Sequence, residues 1–535
     1  MNSVLGIHCG KHNSSVCLLI NGEVELFIEE ERLSKIKYDS EPIKCIGQIK
    51  DIVTEIDSVI VTHCGNENFI KHLLRKNGIT FKRFSVHNDI HHLAHAASAF
   101  YSSGFTEAVC VVFDGRGSEF ALNNGAFGAE TTSVYEASYP DNFRLLYKKL
   151  VVDPHRGSNF SAVSSLLHNT EVEITSHIDI GGMYQAVANH QGFRNLDCGK
   201  TMGLAAYGAA NKNIPEILTG PKKEANKNLF TNDNKINTYS YPELITNDWG
   251  QLQADLAFAV QKATQEKALS YIKKAIKLSN TKNIVLSGGF ALNIVANKYY
   301  KDKLSEFNFF IDPMAGDGGL SYGAAKLVHH AEQKDQTKRK LENIYLGPKK
   351  ELLFKEIGDR TTSKEVALLL SKGKTVALFQ GRSEAGARAL GNRSILFNPC
   401  LPNGKDIINR IKNRESFRPF AGTILQEEVE KWFDIEENPF MTLNATCLKK
   451  EKIPAIVHVD GTCRIQTITK EQNKNYFELI QNFYEITGVP ILGNTSFNVD
   501  KQPIIETFED AVSTLNNTKI DYLYTPENMR LLCRD

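Results

Sequence analysis

The feature that most constrains this chain is a repeated unit in which a short apolar run stops on a tight turn of small or acidic residues. Ser3–His8 runs into Cys9-Gly10, Ala108–Phe113 into Asp114-Gly115, and Asn283–Ser287 into Gly288-Gly289 ahead of a helical segment. Buried strands that hand over to helices at their carboxyl ends read this way, so the fold class expected is α/β. The start of the chain adds an antiparallel element. Ser15–Asn21 and Glu23–Glu30 are joined through Asn21-Gly22, a pair suited to the positive φ of a hairpin turn. Gly6-Ile7-His8-Cys9-Gly10 and Phe113-Asp114-Gly115-Arg116-Gly117 also echo each other, as the halves of a duplicated domain do.

At 535 residues the chain exceeds what one hydrophobic core serves, so two domains are expected. Ala331–Leu341 is charged and almost without apolar residues, which places the boundary near Asn343 and the domains at 1–343 and 344–535. The Asn- and Lys-rich stretch Ala209–Trp249 reads as surface loops or an insertion. Lys and Arg number 63 against 62 Asp and Glu, so nothing favours a nucleic-acid partner. The chain lacks the cationic and apolar regions of a signal peptide, and no apolar run approaches the ~18 residues of a membrane span, so a cytoplasmic location without membrane attachment is expected. Ten cysteines, among them Cys64, lie scattered without a Cys-x-x-Cys pair and read as reduced structural thiols.

In Asp89-Ile90-His91-His92-Leu93-Ala94-His95 a helix would put His91 and His95 on one face, able to share a metal ion. His92 and His95, three apart, are an equally possible pair, and spacing does not decide between them. Asp114 and Asp317, each beside glycine in a turn, would complete a set of two nitrogens and two oxygens that suits zinc, iron or manganese. The turn Gly288-Gly289 with Asn293 offers backbone amides to a nucleotide, and Cys198–Gly208 reads as a small-residue loop carrying Lys200. Cations gather further on. Arg382, Arg388, Arg393, Lys412, Arg414 and Arg418 fall in one interval, and Arg464 with the hydroxyl-amide loop Asn494–Asn498 adds to a set able to bind polyphosphate.

These motifs together resemble the natural-product O-carbamoyltransferase family. Gly10–Ser15, His91–Phe100, Phe113-Asp114-Gly115, Gly199–Gly208, Ser287–Asn293 and Gly316–Ala325 occur in that family's order, followed by Arg388–Ser394, Lys412–Phe420, His458–Arg464 and Asn494–Asn498. The resemblance implies a duplicated actin-like (ASKHA) ATPase-type domain followed by a YrdC-like α/β domain. It assigns His91, rather than His92, with His95, Asp114 and Asp317 as metal ligands, with Fe(II) the metal. Gly288, Gly289, Asn293 and Lys200 would bind nucleotide in the first domain. Arg393, Lys412, Arg418, Arg464, Ser496 and Asn498 would bind Mg-ATP, carbamoyl phosphate and carbamoyl-adenylate in the second. His12 takes the position of the histidine that acts on the acceptor hydroxyl of a small molecule. Three residues depart from the pattern: Asn13 stands where aspartate is common, Cys198 where glutamate is, and Ala387 where proline is. An enzyme of the tRNA threonylcarbamoylation type and a non-catalytic ATP-binding regulator are the alternative readings. The balanced charge speaks against the first, and a second arginine-rich domain against the other.

Overall fold

A computed structural model describes residues 2–63, 65–123, 125–152, 167, 170–231, 233–245, 249–349 and 357–534. The N-terminal half is built on two sheets. The strands of the first are β1 (Ser3–His8), β2 (Ser15–Ile20), β3 (Glu23–Glu29), β4 (Glu55–Thr62) and β5 (Thr80–His87). Those that follow are β6 (Glu107–Phe113), β7 (Glu119–Ala121), β8 (Phe127–Ser138), β9 (Asn142–Val152), β10 (Glu171–Thr175), a small pair β11 (Leu218–Thr219) and β12 (Glu224–Ala225), then β13 (Asn283–Ser287) and β14 (Asn308–Ile311).

The first sheet runs β3-β2-β1-β4-β5, and the second carries the same plan as β9-β8-β6-β13-β14, with β10 added at one edge and β7 paired to β8. Directions match as well. β1 pairs antiparallel with β2 and parallel with β4, just as β6 pairs antiparallel with β8 and parallel with β13. The echo between Gly6–Gly10 and Phe113–Gly117 therefore marks equivalent strands, and a duplication is present in the topology. Buried side chains of both sheets explain why these runs are strands: Leu5, Ile7, Val16 and Val61 fill one core, and Val109, Val111, Ile284 and Leu286 another.

Helices His91–Ser103 and Leu320–Gln333 pack against each other beside β1 and β6. They approach so closely that a Cβ on Gly323 would lie 1.9 Å from the carbonyl oxygen of Ala94, which only glycine permits. Gly288, after β13, is constrained as well. Its φ is +85°, and a Cβ there would meet the Phe113 carbonyl oxygen at 2.3 Å. Gly288→Ala should accordingly cost on the order of 2–3 kcal/mol of stability, read as a lower urea midpoint at unchanged m-value.

The C-terminal half holds a nine-stranded mixed sheet whose middle runs Val376–Phe379, Arg393–Phe397, Ile491–Ser496, Ala421–Leu425, Thr462–Ile468. Ala421 sits opposite both Asn494 and Arg464 in the ladder, which brings those segments side by side. The halves share apolar packing, with Phe27, Met314 and Tyr322 against Leu346, Ala385 and Phe440. The Phe27 amide donates to the Leu346 carbonyl at 2.8 Å.

Three expectations change. Gly199–Ala205 is a helix, not a loop. Leu204 and Ala205 pack on Ala254, Ala257 and Phe417, so tertiary burial overrides the low helix propensity of glycine. In the polar stretch 209–249, Ile217, Leu229, Phe230, Ile236 and Leu244 are buried in the second core, so the described part of it is more than surface loop. Asn494–Ser496 belongs to a central strand rather than a loop. Cys64 lies outside the described residues, and the nine other cysteines are free thiols. Among the described residues no helix is long and apolar enough to cross a membrane.

Candidate active site

The carboxyl ends of β1, β4 and β6 and the start of helix His91–Ser103 meet in one place. One turn of helix separates His91 from His95 and aims both rings the same way. Asp114 follows β6 directly, and Asp317 opens the short turn Asp317–Gly319 ahead of helix Leu320–Gln333. One ligand atom from each of His91, His95, Asp114 and Asp317 falls within 4.8 Å of the others. His91 Nε2 is 3.2 Å from Asp114 Oδ2 and 3.6 Å from Asp317 Oδ1, and His95 Nε2 is 3.6 Å from that same oxygen. His92 turns elsewhere. Its Nδ1 lies 2.8 Å from Ser133 Oγ, and its ring is buried beside Glu130.

The donor set fits a metal ion. His91 Nε2 and both ring nitrogens of His95 are buried without a hydrogen-bond partner, a costly arrangement that coordination would relieve. Burial would lower the His91 pKa, but the carboxylates of Asp317 and Asp114 outweigh it and hold the group at about 9. Burial likewise opposes ionisation of Asp114 and Asp317, yet His91 pulls both below the usual carboxylate range. Such a mutually charged, desolvated cluster is what a functional site shows.

His12 borders it. Its Nδ1 lies 3.0 Å from Asn13 Oδ1 and 3.6 Å from Asp317 Oδ2, and its side chain is 34% exposed. Two further histidines escaped the sequence reading. His63 Nε2 is 2.7 Å from His91 Nδ1, and the His8 ring stands edge-on to His63 at 6.1 Å. Burial, and then neighbouring His91, lowers the His63 pKa to about 4; burial takes His8 to about 3. A signal was available. His-Cys-Gly occurs at 8–10 and again at 63–65, after two apolar runs.

Of the residues expected to bind nucleotide in this half, Gly289 adjoins the cluster, its amide donating to Asp114 Oδ1 at 3.3 Å. Asn293 is occupied as a helix cap. Its Oδ1 accepts from the Ala296 amide at 3.1 Å, and its Nδ2 donates to Gln261 at 2.9 Å. Lys200 reaches into the C-terminal half, 2.8 Å from Glu415 Oε1.

In that half Lys412 Nζ donates to the carbonyls of Ser496 and Asn498, both at 2.6 Å, and thereby ties three expected site residues together. Arg418 is 3.7 Å from Glu415, and Arg414 lies over the Phe420 ring at 3.9 Å. Arg388 donates to the Leu292 carbonyl of the N-terminal half at 3.3 Å, so this cluster borders the segment that follows Gly288-Gly289. Arg464 Nε is buried with no partner. Burial and then mutual repulsion weaken these bases: Arg388 falls to about 10 with Arg418 nearby, and Arg464, Arg414 and Lys412 fall well below their ordinary values. Arg393 stands apart. Its guanidinium donates to the carbonyls of Gln380 (2.6 Å), Gly381 (3.2 Å) and Glu506 (3.2 Å) and stacks on Phe379, so its donors hold the fold.

Comparison with known proteins gives a consistent result. A family model for the carbamoyltransferase N-terminus matches residues 63–326, and one for the carbamoyltransferase C-terminus matches residues 367–530. Nodulation protein NolNO of Sinorhizobium fredii is 28% identical over 96% of this chain and 78% of its own length. An uncharacterized protein of Methanocaldococcus jannaschii is 31% identical over 81% of this chain and 72% of its own. Nodulation protein U of Rhizobium tropici is 32% identical over 46% of this chain and 43% of its own.

Proposed function

Since this chain belongs to the carbamoyltransferase family and is a carbamoyltransferase, we propose that it works in two steps at two sites. Carbamoyl-adenylate is made from carbamoyl phosphate and ATP in the C-terminal half, 344–535. The carbamoyl group then passes to a hydroxyl of a small-molecule natural product in the N-terminal half, 1–343. The observation that carries this reading is the cation cluster. Arg388, Arg414 and Arg464 are each depressed by desolvation and then by neighbouring guanidiniums, that of Arg418 among them, a state that a polyanionic ligand relieves.

In the first step water cleaves carbamoyl phosphate to carbamate and phosphate, and a carbamate oxygen then attacks the α-phosphorus of ATP. The bond to pyrophosphate breaks. Arg414, Arg418 and Arg464 meet the charge spread over the transferring phosphoryl oxygens. Lys412, anchored by Ser496 and Asn498, adds a fourth positive charge. Arg393 acts as a positioning residue, locking the strand that begins with it to Gln380 and Glu506.

In the second step the acceptor hydroxyl attacks the carbamoyl carbon, and AMP leaves. Asn13 Oδ1 accepts from His12 Nδ1, which leaves His12 Nε2 to take the hydroxyl proton. Asn13 orients the ring without adding the charge that aspartate would bring. A divalent metal held by His91, His95, Asp114 and Asp317, Fe(II) or else zinc or manganese, would supply positive charge for the adenylate phosphate. Enclosure of the adenylate between the halves would keep water from it.

The test is carbamoyl-phosphate-dependent exchange of labelled pyrophosphate into ATP by the full chain. Exchange is expected; ATP binding without exchange would overturn the scheme. His12→Asn should keep exchange within about threefold while carbamoyl transfer to a panel of hydroxylated small molecules falls roughly 10²- to 10⁴-fold. Equal loss of both activities would refute separate sites.

A further inference from the structure

We propose that His63 is a positioning residue that fixes which nitrogen His91 turns toward the metal. The inference rests on reading His91, His95, Asp114 and Asp317 as a metal centre. His91 Nδ1 and His63 Nε2 are 2.7 Å apart, and the rings meet edge-on, 4.7 Å between centroids at 75°. One proton lies between these nitrogens. Because His91 Nε2 faces the Asp114 and Asp317 carboxylates, a metal-binding lone pair belongs on Nε2 and the ring proton on Nδ1. Nδ1–H then donates to His63 Nε2, and His63 keeps its own proton on Nδ1. This single hydrogen bond sets both tautomers.

The backbone supports the assignment independently. His63 has φ +55°, in the left-handed region that a non-glycine residue after a strand does not need for its own sake. Its amide donates to the His87 carbonyl at 3.3 Å, so this strained conformation is held at the end of β5. The His8 ring, itself fixed by Thr62 Oγ1 at 2.9 Å, stands edge-on to His63 with 6.1 Å between centroids. Of two parallel strands, β1 ends in His8 and β4 is followed directly by His63, which supports a ligand on helix His91–Ser103. Partners that orient a ligating imidazole commonly carry 10- to 100-fold in metal affinity, and the His63–His91 pair has that geometry.

The experiment titrates the metal-stripped full chain with zinc, which is redox-silent, by calorimetry, and checks metal content by mass spectrometry. His63→Ala should bind zinc about 10- to 100-fold more weakly than the unaltered chain. His63→Gln, whose amide oxygen can accept from His91 Nδ1, should restore binding to within about threefold. Alanine binding as tightly as histidine would overturn the inference, and so would glutamine binding as weakly as alanine, because packing would then be the cause. If His63→Ala fails to fold, the zinc-loaded unaltered chain with labelled histidine decides by ¹⁵N shifts. Zinc on Nε2 with the proton on Nδ1 of His91 is expected, and zinc on Nδ1 overturns the proposal. A chain that binds no zinc, with His91→Ala and Asp317→Asn changing nothing, would instead sink the metal centre and this inference with it.

Discussion

Asp317→Asn should abolish metal binding at the proposed centre and lower carbamoyl transfer on the order of 10³-fold, while pyrophosphate exchange continues. Its carboxylate oxygens lie 3.6 Å from His91 Nε2, from His95 Nε2 and from His12 Nδ1 and so join three imidazoles. Asparagine keeps the shape and removes the charge. His91, which burial alone would neutralise, then retains Asp114 as its nearer anion, and one anionic donor replaces two in the metal set. Metal content by mass spectrometry and the two partial reactions, measured on the same preparation, check the outcome. Retained metal with unimpaired transfer would remove Asp317 from the site. Loss of exchange as well would show that the two halves act as one site.

How much of this could be read from the sequence depends on whether the deciding contact is local. The strands β1, β6 and β13 were legible because their burial is continuous and the turns that end them are glycine or aspartate. The helix Gly199–Ala205 was not. Gly199 and Gly203 argue against helix locally, and what decides is burial against Ala254 and, across the halves, Phe417. The choice between His91 and His92 was undecidable from spacing, since both lie one turn from His95. What turns the His92 ring away from Asp114 and Asp317 is the distant strand β8, through Ser133 and Glu130. Asn293 looked like a ligand-binding amide because a helix cap and a ligand-binding residue have the same composition. Arg393 is the sharpest case. In sequence it differs little from Arg388 or Arg414, but the carbonyl of Glu506, 113 residues on, takes its donors and makes it part of the frame.

That difference between arginines makes the last prediction one of opposite signs. Arg464→Met should lower pyrophosphate exchange roughly 10²- to 10³-fold and yet raise stability by about 1 kcal/mol. Arg464 Nε is buried without a partner, and its guanidinium is depressed first by burial and then by Arg388, Arg414 and Arg418. A charge in that position is held against the preference of the fold, so a side chain of similar length without charge relieves both desolvation and repulsion. Arg393→Met should do the reverse to stability. Its carbonyl acceptors at Gln380 and Glu506 would be left buried and unpaired, at a cost on the order of 3 kcal/mol. Thermal unfolding of the two variants beside the unaltered chain, with no nucleotide present, measures the contrast. Saturating ATP should then stabilise the unaltered chain more than Arg464→Met, because the ligand supplies the anion that the cluster lacks. If Arg464→Met instead unfolds at a lower temperature, Arg464 is a structural residue like Arg393, and the cluster would have to bind its anion through Arg388, Arg414, Arg418 and Lys412.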